Sequence, residues 1–189
     1  IHLSSSRDLQ MWQHVGDRQT FIGPSPVEGG AFDLTQLLPP SAPIVRDDEL
    51  WFYYTGLKYR AEPAQPDAGG KGAICLAVLR RDGFVSLDAG KKGGTITTKP
   101  FKWSGSTLMA NIETIEGGEL RAEVLDAAGN LVAASQPLTR NQPRGEFRWS
   151  PNLPESLPGQ SVSLRLSLRE ASVYAWWLES RTRSTDEPQ

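Results

Sequence analysis

Carboxylates come first in any search for chemistry here, because paired acids can pass protons, attack carbon or hold a metal. Asp47, Asp48 and Glu49 stand in a row and lead into an aromatic run, so that Asp47 to Tyr54 reads DDELWFYY. Such a run favours a strand, and successive strand residues face opposite ways. Three adjacent acids therefore cannot converge on one atom, and a solvated hairpin turn suits them better. Asp33 stands apart. It follows Phe32 at the end of a loop rich in Gly and Pro, from Gly23 to Gly30, where an aspartate either meets a ligand or, more plainly, caps a turn. His2 and His14 have no Cys, Asp or Glu at ligand spacing, which argues against a metal site. Cys75 sits in the apolar run AICLAVL, where a thiol acts as a small hydrophobe, and as the single cysteine it permits no disulfide within the chain. No serine-hydrolase elbow, phosphate loop or dinucleotide fingerprint occurs. By type and spacing, no catalytic residue, metal site or cofactor is expected.

The remaining candidates are aromatic. Trp51, Tyr53, Tyr54 and Tyr59 lie on or beside the central strand, and Trp103, Trp149, Trp176 and Trp177 lie later in the chain. Each has core packing as its plainer role. Trp51 to Tyr54 are consecutive, so both faces of their strand must meet apolar neighbours or a ligand. Trp176 and Trp177 are also adjacent, so one should point inward and the other outward or across a seam between domains.

These side chains must be positioned by strands. The chain of 189 residues can bury a sizeable core, as one large β domain or two small ones. Twenty basic and twenty-two acidic residues, a formal charge of −2, are spread without blocks, which points away from nucleic acid and membrane surfaces. No apolar run reaches the length of a membrane span, and the first residues lack the order of a signal peptide. Ile1 opens the chain inside what already reads as a strand, as expected of a processed or excised piece.

From Ser6 to Trp12, Asp8 is placed to accept backbone N–H groups of a hairpin turn, with Trp12 packing back over it. Residues 61–72 read as an exposed loop. Ala73 to Arg80 reads as a strand that turns at Asp82-Gly83 and returns through Phe84 to Leu87. Lys91 to Gly94 reads as a linker. Beyond it, short strands follow at sandwich spacing: TITTKPF, TLMANIETI, LRAEVLD, LVAASQPL, EFRWS, SVSLRLSL and VYAWWLE. Val162, Leu164, Leu166 and Leu168 should face a core while Ser163, Arg165, Ser167 and Arg169 face water. The expected organisation is all-β: blade-like antiparallel strands over 1–93, an antiparallel β-sandwich over 94–179 and a disordered tail over 180–189.

The ordered series Ser6-Arg7-Asp8 with Trp12, Phe32-Asp33, Asp48 to Gly56, Arg81 to Leu87, Thr97 to Pro100, Glu123 to Asp126 with Gly129, and Leu166 to Leu168 leading to Tyr174 covers most of the chain. It resembles the C-terminal part of five-bladed β-propeller glycoside hydrolases of the family 32 and 43 group, bacterial members in particular that carry a β-sandwich after the propeller. The resemblance implies that 32 to about 90 form the last blade, that residues around Ser6 to Trp12 belong to the blade before it, and that the sandwich begins near Thr95. It places the catalytic carboxylates in earlier blades, so no position here inherits them. It implies an oligo- or polysaccharide partner, the missing N-terminal blades or another chain as a protein partner, and an extracellular or periplasmic setting. The segment from Ala134 to Phe147 departs from the pattern: it has no acid before Glu146, where relatives commonly place Asp, which weakens any case for a metal or polar site there.

Aromatics with polar neighbours are what sugar rings stack on. Asp33, Trp51, Tyr53, Tyr54 and Tyr59 are thus the ligand candidates, with Trp176 and Trp177 as a seam or a stacking pair. Two rivals to a non-catalytic end of a sugar-processing enzyme remain: an autonomous carbohydrate-binding or lectin-like sandwich, and a protein-interaction domain marked by an apolar patch without a polar rim.

Overall fold

A computed structural model describes residues 1–39, 42–59, 70–105 and 107–180. The fold is all-β with antiparallel sheets, and two compact units divide between Arg81 and Asp82. The described part of the expected tail is Ser180 alone, and most of the expected loop over 61–72 also lies outside the described residues.

The first unit opens with a small hairpin, β1 (Ser4–Ser5) and β2 (Gln13–His14). Its turn forms as the sequence suggests, for Asp8 Oδ1 accepts the backbone N–H groups of Gln10 and Met11, both at 2.9 Å. Trp12 does not bury itself over that turn. It stays exposed, and its indole N–H donates to the Leu9 carbonyl.

The main sheet is built on β5 (Glu49–Leu57), the aromatic strand. Along one edge run β3 (Gln36–Leu38) and β4 (Ile44–Arg46); along the other runs β6 (Gly72–Arg80) in a nine-residue register from Glu49↔Arg80 to Leu57↔Gly72. Asp47 and Asp48 form the two-residue turn between β4 and β5, with Asp47 at φ 51°, so the acidic run is a hairpin turn. Alternation sorts β5 into two faces. Leu50, Phe52 and Tyr54 are buried and form a small core with Ile22, against which Phe21, Leu37, Cys75, Ala77 and Leu79 pack.

In the second unit, β10 (Thr107–Leu125) and β13 (Ser161–Glu179) are paired antiparallel along almost their whole length. The chain before β10 follows β13 as β7 (Leu87–Ala89), β8 (Gly94–Thr97) and β9 (Phe101–Lys102), and the chain after β10 follows β10 as β11 (Leu131–Ala134) and β12 (Gln142–Glu146). Four ribbons thus lie side by side, and all four break at one level. Residues 115–118 of β10 oppose the single residue Glu170, which takes φ 47°; Gly93 and Arg140 on the flanking ribbons also take positive φ. Bulges of this kind let one strand serve two layers. The sheet doubles back there in a sandwich-like arrangement. Leu108, Ala110 and Ile112 from one half and Leu120, Ala122 and Val124 from the other join a single core.

Val162, Leu164, Leu166 and Leu168 enter that core as their alternation requires, and the inward phase shifts past Glu170 to Ala171 and Val173. On the wet face, Arg165 pairs with Glu123, and Arg169 with Glu119. Two expectations are corrected. The strand Ala73 to Arg80 does not return through Asp82-Gly83 as a hairpin, because β7 pairs with β13, far downstream. For the same reason the two units part after Arg81 rather than after residue 93.

Candidate functional site

Asp33 and Tyr54, twenty-one residues apart in sequence, meet in the first unit. The Tyr54 hydroxyl donates to Asp33 Oδ2 at 2.7 Å, and both residues are buried. Strand β5 supplies Tyr54 on its inward face, while the segment before β3 lays Asp33 across Gly56 of the same strand. The approach is close: a Cβ on Gly56 would stand 2.5 Å from the Asp33 Cβ and 2.9 Å from Cys75 Sγ. Only glycine leaves that room. The hydrogen bond from Tyr54, helped by one from the Ser25 side chain, holds the Asp33 carboxyl below the usual carboxylate range despite its burial. Burial first, and the Asp33 carboxylate second, push the Tyr54 phenol well above its ordinary value. The pair is therefore an ionised acceptor and a protonated donor that satisfy one another, which is the arrangement of a structural clasp.

Among the described residues Asp33 is the only buried carboxylate. Hydrolysis of a glycosidic bond needs two carboxyl groups roughly 5–9.5 Å apart across the sugar. Among the described residues Asp33 has no second buried acid beside it. Its carboxylate can accept hydrogen bonds and steady the sheet.

The other first-unit candidates lie elsewhere. Trp51 and Tyr53 point to the opposite face of β5, with ring centroids 6.2 Å apart. Trp51 lies under the Arg46 guanidinium, 4.5 Å from its ring, and its indole N–H donates to Glu49 at 2.7 Å. Their face is uncovered: Tyr53, Ile44, Leu76, Val78 and Ile74 are all exposed, Ile74 at 78%. Tyr59 lies beyond the end of β5, exposed, with the Lys58 ammonium 6.0 Å from its ring and 5.9 Å from that of Phe32. The structure thus brings Asp33 to Tyr54 and separates both from Trp51 and Tyr53.

In the second unit Trp176 packs against the core, 5.6 Å from Phe101, while its neighbour Trp177 carries the Arg144 guanidinium 5.6 Å from its ring. One indole faces in and the other out, as adjacency on a strand demands. Trp103 is buried outright, and Trp149 is half-buried at a cleft whose polar rim, Asn152 and Glu155, sequence reasoning did not single out. Those two stand in a loop between Pro151 and Pro158, where no periodicity marks a position as facing anything. Searches of family models, curated proteins and solved structures found no match.

Proposed function

We propose that this chain is a non-catalytic part of a carbohydrate-active, glycoside hydrolase-like protein, with the first unit serving as a propeller blade and the second as an appended sandwich that supports or binds glycan. The observation that carries the reading is the first-unit sheet. It packs one face over a small core and leaves Tyr53, Ile44, Ile74, Leu76 and Val78 exposed on the other beside a half-buried Trp51, and no strand lies along the outer edge of β6 among the described residues. A blade in a ring has that character, since its second apolar face is buried only by the next blade. The partners are an oligo- or polysaccharide and the remaining blades, in an extracellular or periplasmic setting.

The double variant Leu76→Lys, Val78→Lys tests this in a longer parent polypeptide. In this chain alone both positions are exposed, so the unfolding free energy from urea titration should stay within about 0.5 kcal/mol of the unaltered value. In the parent the same lysines should prevent ring closure and remove glycosidase activity. A parent that folds and turns over normally with both lysines would rule the blade out. A second reading, an autonomous carbohydrate-binding module, draws on the pairing of the half-buried Trp51 with the exposed Tyr53 beside Arg46 and Glu49. Titration of glycans against Trp51→Ala separates it from the first, because only a binding face loses affinity with that indole.

A further inference from the structure

The second unit holds a cleft of about 460 Å³ beside Trp103 and Trp149. We propose that it is a saccharide-binding subsite for a neutral sugar ring, an inference that rests on the carbohydrate reading above and locates it at particular atoms. Its floor is aromatic. Trp149 is half-buried, with Trp103 edge-on behind it at 6.2 Å and 80°, and Phe147 tilted at 6.4 Å and 34°. An indole braced on two sides keeps one orientation and offers a ready surface for the C–H face of a pyranose. Its rim is polar: Glu146, Asn152 and Glu155 border the same space.

The walls are tied down by the backbone. Trp103 N–H donates to Gln160 O, and Gly159 N–H returns to Trp103 O at 2.7 Å. Within the loop, Leu157 N–H donates to Pro154 O. On the other side Ser150 N–H donates to Ala134 O and Gln136 N–H to Arg148 O, which flank Trp149. A cleft held in this way does not have to be ordered by its ligand. Its size falls within the roughly 300–1,000 Å³ of small-molecule sites.

The lining selects the ligand class. No basic residue borders the cleft among the described residues, while two carboxylates do, so an anionic sugar or a phosphate is repelled. A purely apolar ligand would strip water from those acceptors and give nothing back. Sugar hydroxyls donate to carboxylates and to the Asn152 amide oxygen while the ring lies on Trp149, which satisfies floor and rim together.

The test is calorimetric titration of the whole chain with neutral mono- and oligosaccharides of several linkages, with choline as the cationic control. At least one saccharide should bind. Trp149→Ala should weaken it about tenfold or more. Asn152→Ala and Glu155→Gln, on exposed positions that leave the core intact, should each weaken it several-fold, and Trp51→Ala should leave it unchanged. Saccharide binding that survives Trp149→Ala and Glu155→Gln but fails with Trp51→Ala would overturn the subsite and leave the carbohydrate reading standing. No saccharide binding at all would remove the subsite, with the blade reading still decided by the lysine variants. Choline binding in place of sugar would make the cleft a cation cage and overturn the proposal equally.

Discussion

The Tyr54 hydroxyl and the Asp33 carboxylate share a hydrogen bond of 2.7 Å inside the first unit, and the consequence is a measurable dependence on acid. Asp33 titrates below its ordinary 3.8 in the folded chain. A depressed folded value means that its stabilisation is complete above the unfolded value and is lost as pH falls through the folded one. Tyr54→Phe removes the leading cause of that depression and leaves a buried carboxylate short of a donor. The variant should lose about 1–3 kcal/mol near neutral pH. Between pH 5 and 2 its stability should fall less steeply than that of the unaltered chain, as read from urea midpoints across that range. Equal slopes would show that the hydrogen bond does not set the Asp33 titration. Both residues were legible singly as candidates, but the pairing was not, because the segment carrying Asp33 is brought to β5 by a loop whose path no local pattern encodes.

At the scale of elements, the bend in the second unit rests on Gly118. A Cβ there would stand 2.1 Å from the Glu170 carbonyl oxygen, whereas a Cβ on Gly90, on the neighbouring ribbon at the same level, would meet nothing within 4 Å. Gly118→Ala should cost about 1–3 kcal/mol or more through overpacking, with Gly90→Ala as the near-neutral control, both measured by urea unfolding. Equal stability of the two variants would show that the bulge gives way freely. Strand alternation from Val162 to Leu168 was plain in the sequence because a period of two needs only neighbours. The continuity of β10 and β13 was hidden, since 115–118 and Glu170 interrupt the alternation as a turn would. The Asp82-Gly83 dipeptide carried a strong local hairpin signal. It lost to the pairing of Leu87–Ala89 with Ala171–Val173, a contact that sequence patterning does not weigh.

For the whole molecule, what the all-β pattern foretold was the layer architecture; what it could not foretell was which face of β5 is covered. Leu50, Phe52 and Tyr54 alternate with Trp51 and Tyr53, both sets equally apolar to the eye, and only tertiary packing separates them. That separation underlies the functional account: a sheet with one face packed and one bare, a sandwich-like unit with an aromatic cleft, and, among the described residues, a single buried carboxylate already engaged by a tyrosine. The most direct measurement is release of reducing sugar from a panel of glycosides by this chain alone. The account expects none above the uncatalysed background, with or without Asp33→Asn. Turnover by the unaltered chain that disappears in Asp33→Asn would contradict it.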